Sequence, residues 1–312
     1  IARNGDPRCA LEKTKAMPII TQMTSMPRSR RARCSSDRLP ASIAVPWYRI
    51  AQQLGRPPVL SYASYALHNW RRLDVHKPIE LGNIVLLQNF LGGLDEEWFV
   101  LIHIDIEAKA GPGLQGLVHA LNAAQVDDAE AVLAGLHALA AAQEAMRETL
   151  LRMPERCDPY IYYSRVRPYI HGWKNSPALP QGVTYEGVTD YVERPQQFRG
   201  ETGSQSSIVP ALDAGLGVLH ADDPLTQYLV EMRDYMPPRH RAFVSALEAC
   251  VDERQRPLLA GYARDRKTTN PRLWNAFCAC VDLLAQFRDI HVGYAERYIF
   301  RQHQSHASNP TS

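Results

Sequence analysis

No run of eighteen apolar residues occurs in the chain, so no segment has the character of a bilayer-spanning helix. The first residues carry no apolar signal core, and secretion is not indicated. Charge excess is small: 35 Lys and Arg against 33 Asp and Glu leave a formal net charge of +2. So weak a field argues against nucleic acid or a membrane surface as a partner. Cysteine is sparse and scattered, at Cys9, Cys34, Cys157, Cys250, Cys278 and Cys280. Only Cys278 and Cys280 are close, and no second Cys or His pair completes a zinc site beside them. These thiols are expected to stay reduced, which points to a cytoplasmic setting. Internal repeats are absent, and no acid/base dyad stands out.

What is present is ordinary for a globular protein. Apolar residues at 45% and charged residues at 22% over 312 positions suffice for one large core or two smaller ones. Residues 1–40 are polar and irregular, with Arg28, Arg30, Arg31 and Arg33 clustered among serine and proline, and read as a solvated tail. The chain opens on Ile1, so the natural N-terminus is expected to be missing or altered. From Ala41 the pattern becomes globular. Residues 42–47 lead into a short helix that Gly55 and the Pro57-Pro58 pair would end. Residues 59–74 read as an amphipathic helix carrying Tyr62, Tyr65, Ala66 and Trp70. Residues 124–153, rich in Ala, Leu and Glu, form another, with 115–123 in a helix before it. Residues 98–107 alternate apolar and polar side chains and lean toward a strand, although Phe99, His103 and Glu107 also share a helical face. Helices resume over 206–220, 224–236, 238–251 and 272–303.

Between Pro168 and Pro210 the chain is loop-like, and so long an irregular stretch in a compact domain usually serves function. Its glycine-rich piece, residues 200–207, lacks a GK[ST] ending and follows no clear strand, which argues against a phosphate loop. Its amides and hydroxyls suit a small polar ligand or a cofactor carboxylate.

One histidine draws attention. Leu284, Phe287, His291, Tyr294 and Tyr298 recur at spacings of three and four and share one side of a late helix. A neutral imidazole in such surroundings is either a packed core residue or an axial ligand to heme iron. Spacing leaves both readings open.

Ordered motifs add what periodicity cannot. SIAVPW at 42–47, YASYALHNW at 62–70, KPIELGN at 77–83, YYSRVRPYIHGWKNSP at 162–177, YEG at 185–187, GSQSS at 203–207, MRDYMPPRHRAF at 232–243 and FRDIHVGYAERYI at 287–299 resemble the indoleamine 2,3-dioxygenase family. The likeness covers about residues 41–303. It implies an all-α fold: a large helical domain over 41–312 that holds heme b, with the usual N-terminal small domain largely missing or altered over 1–40. It implies a helix over 98–107 rather than a strand. It further implies a dioxygenase that inserts O2 across the indole C2–C3 bond of L-tryptophan or a related indoleamine to give N-formylkynurenine. Such an enzyme needs an electron donor to keep the iron ferrous, and a monomer is expected.

The resemblance also assigns roles. His291 matches the proximal iron ligand. Arg288 and Asp213 match a pair beside a heme propionate, and Ser204 falls in the cofactor-contacting loop. Arg167 matches the clamp for the substrate carboxylate, whose planar fork suits that group. Pro168 after it is expected to bias Arg167 away from helical geometry, at a helix end facing the pocket. His103 falls at a distal position, where a histidine can accept from the indole N–H. Tyr62, Tyr65, Phe99, Val100, Tyr162 and Tyr163 are expected to wall the indole, the last two standing where relatives often carry phenylalanine. Thr202 and Gly203 lie where the loop approaches the substrate ammonium. The family's mobile GTGGT loop would begin about where this chain ends, at Ser312. Three other readings stand beside this one: a relative acting on another indole, a heme-binding or sensing protein without efficient turnover, and a helical scaffold in which His291 is a core residue.

Overall fold

A computed structural model describes residues 36–308. The basic cluster around Arg30 and the two cysteines Cys9 and Cys34 lie outside those residues. In chain order the elements are β1 (Arg38–Leu39), α1 (Ala41–Leu54), β2 (Trp70–Arg72), β3 (Ile84–Leu86), α2 (Leu94–Gln125), α3 (Ala129–Leu151), α4 (Pro159–Ile161), α5 (Arg167–Ile170) and β4 (Thr184–Tyr185). They continue with α6 (Ile208–Leu216), α7 (Pro224–Met232), α8 (Pro238–Glu248), α9 (Leu258–Asp265), α10 (Pro271–Ala295) and α11 (Arg301–Ser308). The two strand pairs are small. β1 lies parallel to β4, and β2 lies antiparallel to β3 with Trp70 opposite Leu86. The fold is accordingly all-α in its core, as the family resemblance implied. No helix among the described residues is long and apolar enough to cross a membrane.

The centre of the molecule is the antiparallel pair α2 and α3, with α10 packed along α3. Three residues separate the two long helices, and so short a connection forces them to run side by side. Asp128 caps α3 by accepting from the Ala131 N–H at 3.0 Å. Small residues then let the backbones meet. A Cβ on Gly135 would lie 2.5 Å from the Gly116 carbonyl oxygen and 2.9 Å from the Ala120 nitrogen. Helix α10 is tied to α3 by the Gln143 side chain, which donates to the Cys280 carbonyl at 3.0 Å. Leu117, Leu136, Leu139 and Leu273 fill the space between, all buried.

Two buried carboxylates fasten the loops to this stack. Glu96 accepts the backbone N–H groups of Phe90, Leu91 and Gly92 at 2.7–3.1 Å and the Tyr65 hydroxyl at 3.0 Å. Asp105 accepts from Lys109 and Thr149, each at 2.7 Å, and from the Leu81 N–H at 3.2 Å. Charge buried this deeply is tolerated because each oxygen has donors.

Several sequence expectations are confirmed and others corrected. Helix α1 ends as expected, with Gly55 left-handed at φ 65°. The strand lean over 98–107 is overturned: the segment lies inside α2, buried on most sides, so its apolar residues do not mark a two-sided pleat. Helix α2 also extends through Gln125, past the expected boundary at residue 124. The helix expected over 59–74 is absent. Only a π-helical turn, Ala63–Leu67, forms there, and the chain then enters β2. Asn69 is the physical reason: its side-chain amide donates to the Gln88 carbonyl at 2.7 Å and its oxygen accepts the Gln88 N–H at 3.0 Å, so tertiary pairing displaces the helix. Helix α9 was not foreseen, and the helix expected to end near Arg167 continues through Ile170.

The close approach of α2 and α3 makes a definite prediction. By helix propensity alone, Gly135→Ala would stabilise by about 1 kcal/mol. The new methyl meets backbone that cannot rotate away, so a net loss of about 1–3 kcal/mol is expected in urea unfolding. Unchanged stability would show that the helices are not held at this distance.

Candidate functional site

Two adjoining cavities open between α2, α10 and the loop 199–207, with volumes of about 280 and 120 Å3. They share the walls His103, Leu150, Gly203, Tyr228, His291 and Ala295. The larger is also lined by Val209, Asp213, Phe287 and Arg288. The smaller is lined by Phe99, Tyr162, Arg167, Glu201 and Thr202. Loop 199–207, α2 and α10 therefore meet where the two spaces join.

Gly203 stands at that junction. A Cβ placed on it would lie 3.6 Å from His103 Nε2 and 3.9 Å from His291 Nε2. The two nitrogens thus face one space across a gap no wider than those distances combined. His103 holds its Nδ1 2.7 Å from the Phe99 carbonyl one turn back, which assigns the proton to Nδ1 and leaves Nε2 as an acceptor. Burial pushes His103 down to about 4, with His291 adding to the same direction, so the ring is neutral near pH 7. His291 has sizeable accessible surface, but it lines both cavities, and the protein around it lowers its pKa below the ordinary histidine value. Its ring has no hydrogen-bond partner among the described residues. A neutral imidazole with an available lone pair at a cavity wall is what an iron ligand requires.

The larger cavity fits a carboxylate-bearing cofactor. Arg288 Nη2 is hydrogen-bonded to Asp213 Oδ2, and His220 Nε2 approaches the same oxygen at 2.9 Å. Arg288 Nη1 and Asp213 Oδ1 remain buried without partners among the described residues. An unspent guanidinium donor suits a heme propionate, whereas Asp213 Oδ1 suits a water or hydroxyl donor instead. Ser204 lines this cavity as well.

The smaller cavity has a different chemistry. Arg167 is buried on α5, with its guanidinium over the Tyr163 ring at 5.6 Å. The sequence expectation about its backbone is corrected: Arg167 is helical, at φ −52° and ψ −38°, and begins α5. Pro168 is tolerated because it sits in the first turn of that helix, where its missing N–H removes no hydrogen bond. A π-helical turn, Tyr162–Val166, precedes it, and another, Glu296–Phe300, carries Tyr298 to the same cavity. Such turns recur at functional sites, and no sequence pattern announces them.

The predicted wall residues divide. Tyr62 lines the larger cavity, and Phe99, Tyr162, Thr202 and Gly203 line the smaller. Tyr65, Val100 and Tyr163 do not reach either wall. The Tyr65 hydroxyl is spent on Glu96, the Tyr163 hydroxyl lies 3.0 Å from His303 Nδ1, and Val100 is packed in the core. Glu201, Glu107 and Tyr228 were not assigned from sequence. Glu107 is one turn beyond His103 and accepts from the Ser206 hydroxyl at 2.6 Å. Tyr228 stands between the cavities. Glu201 lies between Gly200 and Thr202 in the irregular stretch, and an acidic residue beside glycine there was the one available signal.

The family described as Indoleamine 2,3-dioxygenase matches residues 10–312, beginning ahead of the motif boundary at Ala41. The chain is 35% identical to indoleamine 2,3-dioxygenase 1 of Rattus norvegicus over 265 residues, covering 84% of this chain and 62% of that protein. It is 34% identical to indoleamine 2,3-dioxygenase of Saccharomyces cerevisiae over 300 residues, covering 88% and 63%. It is 31% identical to a protein of Haliotis madaka named myoglobin over 265 residues, covering 84% and 65%. The chain thus spans a little under two thirds of the length of these relatives. With the match over nearly its whole length, the chain belongs to the indoleamine 2,3-dioxygenase family.

Proposed function

We propose that the protein is a heme-dependent dioxygenase that opens the indole C2–C3 bond of L-tryptophan or a related indoleamine to give N-formylkynurenine. The observation that carries this reading is the meeting of His103 and His291 across Gly203, with Arg167 on one side and Arg288 on the other. Heme b, held through His291 with Arg288 and Asp213 beside a propionate, supplies the activation of O2. The chain supplies position. Arg167 takes the substrate carboxylate through paired donors, which fixes the indole against Phe99 and Tyr162. His103 Nε2, an acceptor at neutral pH, takes the indole N–H. The aromatic wall of Phe99, Tyr162 and Tyr298 excludes water from the reacting carbons.

The relative named myoglobin supports a second reading, a heme-binding protein of this fold without efficient turnover. Formation of N-formylkynurenine from L-tryptophan under reducing conditions, followed by absorbance, decides between the two. Product at more than trace rate supports the dioxygenase. A full heme spectrum with no product supports the second reading.

Two variants test the assigned residues. His291→Ala is expected to abolish stable heme binding, read as loss of the Soret band in purified protein. An unchanged Soret band would remove His291 as the ligand. Arg167→Ala is expected to keep the Soret band and weaken L-tryptophan binding by about 10-fold or more, the effect typical of losing a charged hydrogen-bond partner. Equal affinity in the variant would remove the carboxylate clamp.

A further inference from the structure

The smaller cavity carries charges of both signs, and they are not equally spent. Lys174 and Arg199 line it, but both pair with Glu231, Arg199 at 2.9 Å. Glu201 differs. It is 7% exposed, lines the cavity, and its carboxyl has no hydrogen-bond or ion-pair partner among the described residues. Its place is fixed by backbone: the Glu201 N–H donates to the Ile170 carbonyl at 2.8 Å, and the Gly200 N–H to that of His171 at 3.0 Å. Gly200 and Gly172 approach so closely that a Cβ on either would strike the other strand's backbone. Glu201 is therefore mounted beside the last residue of α5, the helix that carries Arg167. The Glu201 carboxyl and the Arg167 guanidinium, lining one cavity, offer opposite charges to the two ends of a zwitterion.

We propose that Glu201 binds the ammonium group of the substrate, so that the site selects α-amino acids bearing an indole over the corresponding indole acids and indole amines. This rests on the functional reading above. Arg167 takes the carboxylate and Glu201 the ammonium, and only a ligand carrying both satisfies both. Burial pushes Glu201 up to about 8, so the empty site can hold the carboxyl neutral and avoid a naked buried charge. An arriving ammonium favours the ionised form, and the ion pair then forms in a space largely closed to water.

The test is a spectral titration of the ferric holoprotein with L-tryptophan, indole-3-propionate and tryptamine, in wild type, Glu201→Gln and Glu201→Asp. Wild type is expected to bind L-tryptophan more tightly than either analogue. Glu201→Gln is expected to weaken L-tryptophan by about 10-fold or more, as for loss of a buried charge partner, and to leave indole-3-propionate within about twofold, inside the scatter of a near-neutral change. Glu201→Asp is expected to recover part of the loss. A Glu201→Gln protein that weakens both ligands equally, or neither, overturns the inference. So does a wild type that binds L-tryptophan and indole-3-propionate alike, a result that needs no variant to fold. A wild-type holoprotein that responds to none of the three indoles overturns the functional reading, and this inference with it.

Discussion

The contact between Gly116 and Gly135 sets the geometry on which the site depends. Helix α2 carries Phe99, His103 and Glu107 along one face, and α10 carries Arg288 and His291. Helix α3 is the spacer between them, joined to α2 through bare backbone and to α10 through Gln143 and Cys280. A side chain at the glycine seam would push α2 outward, and the opening between His103 and His291 would change with it. The two histidines belong to different helices 188 positions apart in a chain of 312, so only a stack this rigid can present them to one space.

Against that rigid frame, the treatment of buried polar groups separates structure from function. Glu96 and Asp105 are among the most buried charged residues, and their oxygens are met by backbone amides, hydroxyls and a lysine. Each holds a loop to the helical stack. Arg288 Nη1 and Asp213 Oδ1, by contrast, are buried without a partner among the described residues, and the carboxyl of the buried Glu201 has no partner among them either. Arg288, Asp213 and Glu201 all line cavities, where a ligand could complete them. The larger cavity thus offers a free donor on Arg288 and a free acceptor on Asp213, and the smaller offers the Glu201 carboxyl.

Local signals in the sequence were sufficient for elements governed by local physics. Gly55 ends α1 because a left-handed cap needs no partner elsewhere, and the stripe from Leu284 to Tyr298 is helical because its period repeats for several turns. The failures share another origin. Asn69 abandons a helix for a pairing with Gln88, and residues 98–107 look strand-like only because a helix buried nearly all round loses its polar face. Arg167 is helical in spite of Pro168 because a π-helical turn delivers the chain into a new helix at that point. Motif order singled out His103, Arg167, Arg288 and His291, which line one cavity system, yet it could not show that Glu201 is buried there without a partner among the described residues.

Tyr162 and Tyr163, neighbours in one π-helical turn, illustrate how burial decides what a hydroxyl does. A hydroxyl added to a buried ring costs stability unless it finds a partner. The Tyr163 hydroxyl meets His303 behind the cavity wall, so it is absorbed by packing between the 162–166 turn and α11. Tyr162 stands on the wall itself, packed against Phe99 at 4.7 Å between ring centroids, and burial raises its pKa so that the hydroxyl stays protonated. A protonated hydroxyl on the wall is a hydrogen-bond donor that phenylalanine lacks. Of the two hydroxyls, that of Tyr162 is therefore the one that changes what the cavity presents, and it does so in the space that Arg167 and Glu201 also line.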